Sequence, residues 1–179
     1  IFQRALRANG DSAAVAEHLM LALHAAGKTH SAHQLAQWRM KQSPTILVPW
    51  ALVGLKDETA LAEFARDVRS FVGDRHFELL ETSLVFADLG LFKEAAKVVK
   101  AACVDAVPAA ERSFLPLYYL AWYSSRSGDA AGARQWLAKA AATSKDRVFA
   151  SRPEEIDILR YAIKENSGDA QAHLQLGCL

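Results

Sequence analysis

Six histidines are the first candidates for chemistry in this chain, and His24, His30 and His33 stand close together in sequence. Zinc requires convergent imidazole, thiolate or carboxylate ligands held by a supporting shell of hydrogen bonds. His30 and His33 fall at a predicted helix start, but no Asp, Glu or Cys nearby completes a ligand set. No metal is expected. The carboxylate pairs Asp57-Glu58 and Glu154-Glu155 fall in predicted first helical turns, where the helix dipole favours negative charge without any catalytic purpose. The glycines are isolated breakers, with no phosphate-cradling GxGxxG or GxxxxGK loop and no Gly-x-Ser-x-Gly elbow. Cys103 and Cys178 are far apart, without CxxC spacing, and read as small buried hydrophobes. Nothing here points to an enzyme or to a cofactor.

Two further functions are disfavoured by charge and hydropathy. The 21 basic and 20 acidic residues leave a formal net charge of +1, whereas nucleic-acid binders carry a basic surplus or block. Lys93, Lys97 and Lys100 form one basic stripe, which reads as a solvated helix face with Glu94 beside it. No run reaches the roughly 18 apolar residues of a membrane span. The expected partner is protein or peptide, with self-association open, and the sequence does not decide the compartment.

The elements that would carry such a function are helices. Half of the residues (51%) are apolar and only 9% aromatic, with 5 Pro among 179. Ala- and Leu-rich stretches lose little side-chain entropy in a helix, and no hairpin signal appears. Residues 13–26 place Val15, Leu19 and Leu23 on one face, and Gly27 breaks them. Ser31 then offers a cap with Gln34 three residues on, and the helix that follows carries Leu35, Ala36, Trp38 and Met40 and ends at Pro44. The same grammar returns in 77–89 and 92–105 around Gly90, and in 112–127 and 130–143 around Gly128 and the capping Asp129. Ala133, Trp136, Leu137, Ala140 and Ala141 form the stripe of the last of these helices. Residues 45–75 are less regular: Pro49-Trp50, then Asp57 as cap of a helix reaching about Phe71. Ser151, with Pro153 and with Glu154 three residues on, marks one more helix start.

Each unit is helix, glycine turn, helix, too small to bury its own apolar face alone. Gly27 is followed by the small Ala32 and then Pro44; Gly90 by Ala95 and Pro108; Gly128 by Ala133, Leu137 and Ala140, with Leu120-Ala121 before it. This resembles the tetratricopeptide repeat of about 34 residues. The first whole unit would run from Ala13 to Ile46. Phe2-Gln3-Arg4-Ala5-Leu6 with Asn9-Gly10-Asp11 looks like the tail of a preceding helix, and Ala172-His173-Leu174-Gln175-Leu176-Gly177 like the start of another. The expectation is a single helical-repeat segment over 1–179, cut mid-repeat at both ends. Its fold class is all-α, with antiparallel helix pairs stacked as a short, irregular tetratricopeptide-like solenoid.

A narrower resemblance rests on Val148-Phe149, Arg152-Pro153-Glu154-Glu155, Leu159-Arg160-Tyr161-Ala162, Leu174-Gln175-Leu176-Gly177 and Leu84 through Ala95. These runs are similar to the repeat region of large bacterial proteins that join an N-terminal domain of unknown function to tetratricopeptide repeats. The glycine breakers are unevenly spaced and several aromatic slots hold Ala or Val, so the resemblance does not imply a regular superhelix.

What the repeat resemblance implies is a scaffold that binds a partner segment on the concave side lined by leading helices. Its alternative is a non-catalytic accessory helical module of a larger carbohydrate-related enzyme. Slot by slot, the inward positions are Glu17, Leu21 and His24, then Leu80, Leu84 and Asp88, then Tyr118, Trp122 and Arg126. The last trio stands out because aromatic residues and Arg concentrate binding energy and share one helix face. Two plainer readings compete. Tyr118 and Trp122 could be core residues of a helix apolar nearly all round, and Glu17 and His24 could be solvated surface.

Overall fold

A computed structural model of the chain describes residues 12–72, 77–143 and 149–179. The predicted tail helix at Phe2 through Asp11, and Val148, lie outside the described residues. Among the described residues the fold is all-helical, with ten α-helices and no strand. They are α1 (Ala13–Ala25), α2 (Thr29–Gln42), α3 (Leu47–Gly54), α4 (Glu58–Val72), α5 (Phe77–Ala87), α6 (Phe92–Lys100), α7 (Leu115–Arg126), α8 (Ala130–Ala142), α9 (Pro153–Glu165) and α10 (Ala170–Gly177). The chain divides into two compact units, Ile1–Ala102 and Cys103–Leu179.

In the first unit α1 packs on α2 and α3, α2 on α3, α3 on α4 and α5, and α5 on α6. α3 lies where the sequence reading has only Pro49-Trp50. Its third residue is Pro49, and a proline is tolerated there because the first amides of a helix have no internal acceptor. Val48, Ala51 and Leu52 are buried around it. Gly54 ends α3 against α4: a methyl at that position would meet Phe64 Cβ at 2.9 Å. Asp57 caps α4 as predicted, its Oδ1 accepting the Ala60 amide at 2.8 Å. α2 begins earlier than predicted, at Thr29 behind Lys28, so Ser31 lies inside the helix and is no cap. Its buried stripe is Ala32, Ala36 and Arg39, while Trp38 faces out at 40% exposure.

Three hairpins share one turn geometry. Gly27, Gly90 and Gly128 all have positive φ, at 73°, 74° and 87°. The next residue in each case donates back across the turn, Lys28 to the Leu23 carbonyl, Leu91 to Phe86 and Asp129 to Ser124, at 2.9, 3.0 and 2.8 Å. These are Schellman closures, which need a residue at ease in the left-handed region. The small residue five places after each glycine, Ala32, Ala95 or Ala133, is fully buried, so paired helices approach closely there. α6 ends differently from the single helix predicted over 92–105, passing into a π-helical turn at Ala101–Asp105.

In the second unit α7 pairs with α8 and α9 with α10, and these two hairpins stack, α7 against α9 and α8 against α10. α9 starts at Pro153 behind Arg152, one residue later than a Ser151 cap would place it. Glu155, rather than Glu154, folds back to accept the Ser151 and Arg152 amides, at 2.7 and 3.1 Å. On α8 the buried stripe is Ala133, Leu137 and Ala140, with Trp136 partly open and Ala141 exposed.

Candidate functional site

α7 is a core helix. Every residue from Leu115 to Ser124 is buried except Trp122. A helix apolar nearly all round is one surrounded by protein, and the run Leu115-Pro116-Leu117-Tyr118-Tyr119-Leu120-Ala121 supplies that character. The phenols of such a helix need buried partners. Tyr118 donates to both carboxylate oxygens of Asp169, at 3.0 and 2.9 Å. Tyr119 donates to Glu155 Oε1 at 3.0 Å. Both carboxylates are buried and both cap helices. Asp169 Oδ1 accepts the Ala172 amide at the start of α10, and Glu155 Oε2 takes the amides ahead of α9. Two neighbouring tyrosines on one helix therefore hold the N-terminal ends of the two helices of the next hairpin. Burial raises both phenol pKa values well above their ordinary 10.0; next comes the hydrogen bond to Asp169 for Tyr118, and the charge of Glu155 for Tyr119.

Three of the positions expected to line a binding face are closed instead. Tyr118, expected on a binding face, is fully buried and committed to Asp169. Leu21 and Leu80 are likewise fully buried, not open to a partner. The other two members of the trio behave differently. Trp122 is half-buried, and Arg126 is exposed one turn later with its guanidinium 5.3 Å from the indole centroid. From α9, Tyr161 completes the cluster, its ring 5.6 Å from Trp122 in an edge-to-face arrangement at 62°. The structure thus joins Trp122 and Arg126 to a residue outside the predicted set. Contacts of these two kinds are worth about 0.5–1.5 kcal/mol each.

A signal for Tyr161 exists in the sequence. Ser127-Gly128-Asp129-Ala130 returns as Ser167-Gly168-Asp169-Ala170, and aligning the two words sets α9 beside α7 as successive leading helices. The same alignment makes Asp129 and Asp169 equivalent caps. Asp129 accepts the Gly132 amide at 2.8 Å. The turns nonetheless differ, since Gly168 is not among the glycines of positive φ and Asn166 Oδ1 accepts its amide at 3.2 Å.

The remaining candidates lie in the first unit. Glu17 is partly buried on α1, and that burial raises its pKa against the lowering charges of His18 and Arg39. His24, in the last turn of α1, sets Nε2 3.7 Å from Glu94 Oε1 of α6. Leu84 is half-buried on α5, and Asp88 is exposed just after it. Among the described residues no three His, Cys, Asp or Glu side chains converge as metal ligands, and no helix is long and apolar enough to cross a membrane. Comparison of the chain with protein-family models and with curated proteins gave no match.

Proposed function

We propose that the chain is a protein-interaction module built of tetratricopeptide-like helix pairs, and that it holds a peptide segment of another protein against α7 and α9. The observation that carries this reading is Trp122. On a helix otherwise buried from Leu115 to Ser124 it alone reaches the surface, and there it meets Tyr161 and Arg126. Tryptophan, tyrosine and arginine are the residues in which interface energy concentrates, because they combine large area with a few directed polar contacts. Their mutual packing also restricts rotamers before a partner arrives, which lowers the entropic cost of binding. Binding by such a face requires no cofactor.

A peptide-display selection on the whole chain tests this. Peptides should be enriched on the parent and lost on a Trp122→Ala, Arg126→Ala double variant of equal helicity by circular dichroism. Enrichment that survives both substitutions, or no enrichment on the parent, would contradict the reading.

A further inference from the structure

The face shared by α7 and α9 carries charge as well as aromatic rings. Tyr119 bonds Glu155 in the first turn of α9, and Trp122, nearly one turn on, meets Tyr161 farther along α9. Contacts that advance in the same sense along both helices mean that the two run parallel. Residues beyond Trp122 and Tyr161 therefore lie at one end of the face, and residues before Tyr161 at the other.

α7 contributes one charge, Arg126, which is exposed in its last turn. α9 supplies the others. Glu154, Asp157, Tyr161 and Glu165 follow one another at intervals of three, four and four, the spacing of a single helix stripe, and all three acids are exposed. Lys164 borders this stripe three residues after Tyr161. Arg160, also exposed, is turned about 100° away from Tyr161 around the helix.

The two ends differ in sign. Glu154 and Asp157 make the end before Tyr161 negative. At the opposite end Arg126 and Lys164 outweigh Glu165. Arg152, near the acidic end, is half-buried, and it and buried Glu155 act on Tyr119 with opposite charge, so the two offset each other. Between the ends Trp122 and Tyr161 form an uncharged notch, their rings edge to face at 5.6 Å.

Given a peptide held against α7 and α9, the reading on which this rests, we propose that the held segment carries opposite charges on the two sides of an apolar anchor. The anchor enters the notch, a Lys or Arg lies toward Asp157, and an Asp or Glu lies toward Arg126. Asp157 precedes Tyr161 by four residues and Arg126 follows Trp122 by four, about 6 Å along each helix axis. That distance is two residues of an extended segment, whose alternate side chains share a face, or four residues of a helical one. Arg126 suits the acidic side chain, because a guanidinium stacks on a ring by its face and pairs with a carboxylate by its edge. Exposed pairs of this kind add little affinity and act mainly on partner choice and orientation.

Sequences enriched from a random peptide library on the whole chain test the charge pattern. On the parent they should carry a basic residue on one side of an apolar or aromatic one and an acidic residue on the other, at a separation of two or four. One such peptide, labelled with fluorescein, should bind Asp157→Lys about two- to fivefold more weakly by fluorescence anisotropy. Asp157 is exposed, so the variant keeps the fold, which circular dichroism checks. Changing the basic residue of the peptide to glutamate should recover the loss on Asp157→Lys, as a double-mutant cycle requires of a direct pair. Enrichment on the parent without opposite flanking charges, or equal affinity of the parent and Asp157→Lys for the peptide, would overturn the charge pattern and leave the peptide-holding face standing. No enrichment on the parent would overturn both.

Discussion

At the scale of single residues, the second unit is held by phenol–carboxylate bonds whose members lie far apart in sequence. Asp169 serves twice, as cap of α10 and as acceptor for buried Tyr118. Asp169→Ala should therefore cost about 1.5–5 kcal/mol, the sum of a lost cap of about 0.5–2 and an unsatisfied buried hydroxyl of about 1–3. Asp129→Ala removes only an exposed cap and should cost about 1 kcal/mol. Urea denaturation of the two variants checks both values. The phenols add an alkaline limit. Their folded pKa values are raised, so the stability they contribute is complete below their ordinary value of 10.0 and is lost as pH rises towards the folded values. Near-ultraviolet circular dichroism against pH should show tertiary structure failing above pH 10, with the tyrosine ionisation that accompanies it delayed relative to free tyrosine. None of this was legible locally. The spacing of Tyr118, Trp122 and Arg126 states that they share a face, but not that burial continues around the helix and stops at Trp122. That depends on Asp169 and Glu155, far downstream in the chain.

Elements were read more successfully where backbone chemistry decides them. Gly27, Gly90 and Gly128 end helices because their turns need positive φ, and glycine is the residue that enters that region at no steric cost. Gly128→Ala should destabilise the α7–α8 hairpin by about 1 kcal/mol, although nothing crowds the position. Gly132→Ala has a different cause, since a methyl there collides with the Asp129 carboxylate that caps the same helix. Combining Gly132→Ala with Asp129→Ala should then cost less than the sum of the two changes, in a double-mutant cycle followed by thermal unfolding. α3 escaped the sequence reading for a physical reason. Leu47 through Gly54 is apolar on every side, so it has no period to detect, and Pro49 reads as a breaker unless the helix start is known. The predicted caps Ser31 and Ser151 failed because serine is only one solution to a helix start. α2 begins with no side-chain cap hydrogen bond, and α9 begins with the Glu155 carboxylate on two preceding amides.

At the scale of the whole molecule, composition alone conveys the all-helical class, since Ala and Leu dominate and hairpin signals are missing. The division at Ala102 and Cys103 has no comparable signal: no Pro-, Gly- or Ser-rich linker marks it, and a helix passes through it as a π-helical turn. The proposed function rests on the second unit, where leading helix stacks on leading helix and their junction carries Trp122, Tyr161 and Arg126. α8 supplies an internal control of similar chemistry. There Lys139 lies over Trp136 at 4.3 Å, on a trailing helix. The most direct measurement is the affinity of one selected peptide for the parent, Trp122→Ala and Trp136→Ala, by fluorescence anisotropy. Binding at the α7–α9 junction predicts a loss of roughly tenfold or more for Trp122→Ala, the effect of an interface anchor, and no change for Trp136→Ala. Equal affinity of all three proteins, or a loss confined to Trp136→Ala, would contradict it.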